Sequence, residues 1–160
     1  MTRLSASVGS YIPFPYISII RQNLRHFSGW TDNVVAQGTI HHNYFDGTNQ
    51  RNPSADNLKY AHLYNNYVRG VTSYGHYVRG KTNARIENCY FESAKDPLTA
   101  DSDAILTATG NTYKSTSGTI ADDQGTAFDA SEFYSYTLDE TADVPGKVQA
   151  NAGPQESVCS

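Results

Sequence analysis

Acidic side chains are absent from the opening of this chain. Met1 to Thr31 contains no Asp or Glu, and all sixteen lie from Asp32 onward. A metal site built on carboxylates therefore cannot draw on that stretch. Cysteine is scarce too: Cys89 and Cys159 are the only two, too few for a disulfide framework. They could form one bridge, or serve as a packed interior thiol and an idle tail thiol. Charged residues make up 18% of the 160, with a net charge of −4, which gives no basic field for nucleic acid or for an anionic membrane. No apolar run is long enough to cross a bilayer, and the best of them, Tyr11 to Ile20, is broken by Pro13 and Pro15. The sequence has neither a glycine-rich phosphate loop nor a zinc-spaced Cys/His set.

What is present is a repeat. Ile40 to Phe45, Leu63 to Val68, Ile86 to Phe91 and Ala108 to Tyr113 superpose, with Asn43, Asn66, Cys89 and Asn111 at the fourth place and offsets of 23, 23 and 22 residues. A period of this size marks a solenoid, in which each turn buries its face only against its neighbours. The blocks alternate and are rich in Ile, Val, Tyr and Phe, so the unit is β and not helical. Leucines are too sparse for a leucine-rich repeat. The spacing predicts an all-β parallel β-helix, with Asn43, Asn66, Cys89 and Asn111 as one ladder column. Cys89 stands in that column as a small buried substitute.

The two ends differ from the middle. The apolar stretch near the start is too short and too broken for the core of an export signal, and no small-residue cleavage site follows it. The period fades after Asp122, and Ala142 to Ala150 predicts a short helical turn starting near Asp143 and Pro145. The expected organisation is an unmatched leader over 1–28, coils over 29–121, and a tail over 122–160 that packs on or caps them.

Several motifs resemble pectate lyases of polysaccharide lyase family 1. They are Gly29-Trp30-Thr31-Asp32-Asn33, Thr39 to Phe45, Asn49 to Ser54, His62 to Tyr67, Tyr74 to Tyr77, and the tail segment Phe133 to Asp139 through Ala142 to Pro145. The resemblance runs in order from about Gly29 to Pro154 and corresponds to the C-terminal half of such an enzyme. It implies a right-handed parallel β-helix, apparently without its N-terminal rungs. It also implies a secreted, monomeric lyase that cleaves polygalacturonate by β-elimination with the help of Ca²⁺. The proton to be removed, at C5 of a galacturonate, is very weakly acidic, so cations must meet the charge developing on the carboxylate.

The resemblance places the proton-abstracting arginine at Arg51, shortly before Pro53. An arginine serves as a base only where neighbouring cations lower its pKa and the pH is alkaline. An ordinary surface pairing with Asp46 or Asp56 is the competing expectation. Trp30, Gln50, Arg69 and Arg79 are the candidate substrate-binding residues, the two arginines each standing just before a glycine. Three departures stand out: Asp56 occupies the place of a frequent second arginine, Leu24 that of a helper lysine (Arg25 is its neighbour), and the earlier Ca²⁺-binding acids have no counterpart. No metal ligand is therefore assigned. His41 and His42, adjacent on a strand, are expected on opposite faces, and Asp101, Asp103, Asp122 and Asp123 in solvated turns. Three readings follow: a pectate lyase, impaired in this chain; a non-catalytic β-helical module for acidic polysaccharide; or a fragment with no function of its own.

Overall fold

The computed structural model of the protein describes residues 19–20 and 35–152. Leu24, Arg25, Trp30 and Cys159, and with them nearly all of the leader, lie outside the described residues. Strands β1 (Ile19–Ile20), β2 (Gln37–His41), β3 (Tyr44–Asp46), β4 (Ser54–Asp56), β5 (Tyr60–Tyr64), β6 (Tyr67–Arg69), β7 (His76–Arg79), β8 (Asn83–Glu87), β9 (Tyr90–Glu92), β10 (Leu98–Ala100), β11 (Ile105–Thr109) and β12 (Thr112–Lys114) precede one short helix, α1 (Val144–Asn151). They assemble into three parallel sheets, ordered β1-β3-β6-β9-β12, β4-β7-β10 and β2-β5-β8-β11. Consecutive strands belong to different sheets and each strand pairs with its counterpart one turn later. This is the parallel β-helix that the period predicts.

The register follows the repeat. Ile40, Leu63, Ile86 and Ala108 align across β2, β5, β8 and β11, and Phe45, Val68, Phe91 and Tyr113 across β3, β6, β9 and β12. Like side chains therefore stack on like. Phe45, Leu63, Val68, Ile86 and Phe91 are wholly buried, and the Phe91 and Tyr113 rings stack nearly parallel with centroids 5.1 Å apart.

The expected ladder column forms. The Asn66 carboxamide oxygen accepts from the Asn43 backbone N–H at 3.0 Å and from its side chain at 3.1 Å, while Asn66 Nδ2 donates to the Ile40 carbonyl at 2.9 Å. One rung on, Cys89 takes the interior place and its backbone N–H donates to Asn111 Oδ1 at 2.8 Å. Before each ladder residue the chain turns through a left-handed conformation, at His42, Asn65, Asn88 and Gly110. Asparagine tolerates this region and glycine is at home in it. At 110 a Cβ would also stand 2.0 Å from Asn88 Oδ1, so that side chain would have to move.

At the far end Gln124 forms an antiparallel bridge to Leu106, with backbone bonds of 2.8 and 2.9 Å, so the chain reverses across the last strand of its sheet. An exposed parallel edge would otherwise template pairing with another chain. The tail then runs back along the flank of the coils, and α1 lays Val144 and Val148 against Tyr44 and Tyr67.

Replacing Asn66 with Leu leaves buried ladder and backbone groups without partners. Such groups cost on the order of 1–3 kcal/mol. An unfolding free energy from chemical denaturation lowered by that amount is the expected outcome, and an unchanged value would remove the ladder from the stability of the fold.

Candidate active site

Arg51 sits in the loop that joins β3 to β4. Its backbone is left-handed, φ 63°, a conformation uncommon for a long side chain and usually maintained by its surroundings. Asn52, wholly buried, supplies those surroundings. Thr48 Oγ1 donates to Asn52 Oδ1 at 2.6 Å, Asn52 Nδ2 donates to the Tyr74 carbonyl at 3.0 Å, and the Asn52 backbone N–H donates to the Gly75 carbonyl at 3.2 Å. The pairing of Arg51 with Asp46 or Asp56 does not form, and Arg51 Nε is shielded from solvent with no hydrogen-bond partner. Arg51 is therefore a cation not committed to a carboxylate among the described residues.

Arg79 stands at the far end of the same sheet. It is in register with Asp56, the place where the resemblance expects a second arginine. Its guanidinium lies over the Tyr77 ring at 5.0 Å, and Tyr77 in turn donates to Asp101 Oδ1 at 2.7 Å. Asp101 Oδ2 accepts the Gly80 backbone N–H at 2.8 Å. Asp101 is thus a structural acceptor and not the solvated turn residue the sequence suggests, whereas Asp103 is exposed. Arg79 Nε, like that of Arg51, has no partner. Gln50 precedes Arg51 in the same loop. Arg69 is placed elsewhere, on the sheet that carries α1, exposed and donating to the Tyr44 hydroxyl at 3.2 Å. There it belongs to a column of alternating charge, Asp46, Arg69, Glu92 and Lys114, in which Lys114 and Glu92 meet at 2.8 Å.

The pectate lyase family model matches residues 26–157. The chain belongs to the pectate lyase family. It is 33% identical over 126 residues to a pectate trisaccharide-lyase of Bacillus licheniformis, covering 77% of this chain and 36% of that protein. It is 45% identical over 96 residues to pectate lyase 3 of Pectobacterium carotovorum subsp. carotovorum, covering 59% and 25%. In three dimensions it resembles pectate lyase II of Xanthomonas campestris pv. campestris, with a TM-score of 0.69 and 27% identity over 85% of this chain and 47% of that one. A pectate lyase solved with a bound hexasaccharide shares the fold, with a TM-score of 0.57 and 18% identity. The chain thus spans roughly a third of the length of the first curated relatives it matches.

A polar seam that sequence reasoning missed joins the tail to the outer face of β2, β5 and β8. His62 Nε2 donates to Glu87 Oε2 at 2.9 Å, and its Nδ1 meets the Tyr134 hydroxyl, which also bonds Thr39 Oγ1 at 2.7 Å. The Tyr136 hydroxyl donates to Glu87 at 2.8 Å, and Arg85 Nε donates to the Phe128 carbonyl at 2.7 Å. The available signal was the pair Tyr134 and Tyr136, which share a face in the tail segment. His41 and His42 do not point to opposite faces: their Nδ1 atoms lie 2.9 Å apart. The left-handed turn at His42 breaks strand alternation, and both rings end half-buried, with His42 Nε2 3.2 Å from Asp139. In this family Ca²⁺ dependence is general, yet among the described residues no group of three or more His, Cys, Asp or Glu could hold a metal ion. The Ca²⁺ that the resemblance implies does not fit the side chains described.

Burial lowers the pKa of His41, His62 and His76 to about 4, although the Glu87 contact pulls His62 the other way. The unfolded chain would take up protons at these residues near pH 6.5 while the folded chain would not. Their contribution to stability is present above pH 6.5 and is lost as the pH falls toward 4. Thermal midpoints measured across that range should fall steadily with acidification, and a flat profile would show the three rings to be solvated.

Proposed function

We propose that this chain carries the cleavage-site part of a pectate lyase acting on polygalacturonate outside the cell. The observation that carries the reading is the uncommitted Arg51, held in a fixed turn beside a sheet whose other end presents a second uncommitted arginine, Arg79. In the proposed reaction Arg51 takes the C5 proton of a galacturonate. The electron pair of that C–H bond forms the C4–C5 double bond, and the C4–O4 bond breaks with its pair leaving on the departing sugar oxygen. Arg79 offers a planar fork to a uronate carboxylate in place of the cation absent at Asp56, one rung away in the same column. Gln50, next to Arg51 in the same loop, and Trp30 remain candidate substrate-binding side chains. Arg69 contacts the polymer only where it bends toward the α1 face.

The rate expected of this chain is low. Losing one electrostatic contact to a developing charge typically costs about 10²–10³ in rate, and Leu24 stands at the position the resemblance assigns to the helper lysine. The test is release of unsaturated, ultraviolet-absorbing product from polygalacturonate at alkaline pH, with and without added Ca²⁺. Slow release that Arg51→Lys largely abolishes is the expected result. Equal turnover in that variant would remove Arg51 from the mechanism. Retention of the polymer without any product would instead favour the non-catalytic binding module.

A further inference from the structure

We propose that His76 is a positioning residue for Arg51, holding the turn from which the arginine side chain leaves. His76 lies on the inner side of β7, wholly buried, and its Nδ1–H donates to the Asn52 carbonyl at 2.5 Å. A carbonyl can only accept, so the ring carries its proton on Nδ1. Its Nε2 has no partner and faces the core, with the Phe45 and Phe91 rings edge-on at 6.2 and 5.0 Å. The fold does not itself require an imidazole at this place. One rung on, the residue in register with His76 is Leu98, equally buried and fully apolar. A buried ring with one nitrogen unpaired is a cost that the next rung avoids.

What His76 obtains at that cost is the last free group of Asn52. The backbone N–H, the carbonyl and both ends of the carboxamide of Asn52 are all engaged, by Gly75, His76, Thr48 and Tyr74 in turn. The residue after Arg51 is thereby fixed at four points, and the left-handed Arg51 backbone is fixed with it. Close approach of the rungs supports the arrangement: a Cβ on Gly75 would stand 2.3 Å from the Pro97 carbonyl oxygen. Burial keeps His76 neutral down to about pH 4, so the donor persists wherever the enzyme would work. The consequence for catalysis rests on the lyase reading above, whereas the positioning of Arg51 does not.

Two substitutions separate positioning from packing. His76→Leu copies the next rung and removes the donor, and His76→Asn sets an amide N–H near the place of Nδ1–H. Proton NMR with ¹⁵N-labelled protein follows the Nε–H signals of Arg51 and Arg79 and the backbone shifts of Arg51. In folded His76→Leu protein the Arg51 Nε–H should exchange with water at least about tenfold faster and its backbone shifts should leave left-handed values, with Arg79 unchanged. His76→Asn should restore both signals. In the lyase assay, kcat should fall by about 100-fold in His76→Leu with KM little altered, and His76→Asn should recover most of it. Unchanged Arg51 signals in folded His76→Leu protein would overturn the proposal. Should that variant not fold, His76→Gln, whose donor is displaced by one methylene, is judged by the same signals and the same outcomes. Absence of product from the unsubstituted protein would sink the lyase reading and leave the NMR result to decide the positioning.

Discussion

The side-chain amide of a ladder residue, bonded to the backbone N–H of the ladder residue one rung away and to a strand carbonyl of that same rung, is the contact on which the architecture depends. A β-helix must reverse direction several times per turn, and each corner leaves backbone groups that strand pairing does not reach. Asn43, Asn66 and Asn111 supply partners at one corner of the coil, and the left-handed residue before each makes the bend. Because the amide reaches across one rung, a corner is correct only when its neighbour is. Geometry is therefore passed from turn to turn, and the stack of buried Phe45, Val68 and Phe91 with the partly buried Tyr113 follows from it.

The candidate site inherits this precision. Arg51 belongs to a loop, usually the least constrained part of a fold, yet its neighbour Asn52 is tied to the following rung through the carbonyls of Tyr74 and Gly75. Arg79 belongs to a strand and is set by register against Asp56. The two cations thus stand at opposite ends of one rigid sheet, each without a carboxylate partner, in a chain whose overall charge is negative. Charge on a substrate would meet positions fixed in advance, which is the arrangement that stabilises charge at least reorganisation cost.

Much of this could be read from the sequence because a repeat reports on itself. Asn43, Asn66, Cys89 and Asn111 announced their column through spacing, and helix α1 announced its start through Asp143 and Pro145. The motif around Arg51 was legible as a family pattern. What stayed hidden involved contacts between residues far apart in the chain. The seam of Thr39, His62, Glu87, Tyr134 and Tyr136 joins positions up to 95 residues apart, and no periodicity encodes where a non-repeating tail will lie. The failure at His41 and His42 is of another kind. Alternation holds within a strand, and His42 is the corner residue after β2. His76 is legible in the sequence only as part of the Tyr74 to Tyr77 motif, and the structure alone shows which carbonyl its ring meets.

The column of Asp46, Arg69, Glu92 and Lys114 bears on how the chain finds its alignment while it folds. Repeats that resemble one another invite a coil to settle on the wrong neighbour, and the aromatic and aliphatic interior would accept such an error at little cost. The outer column would not. With signs alternating from rung to rung, a coil that skipped its proper neighbour would set Asp46 beside Glu92 and Arg69 beside Lys114. Exposed pairs of this kind add little to the stability of the finished fold, but they add to the ladder amides a second discrimination between alignments. A row of surface charges thereby acts as a proofreading mark for the order of the turns.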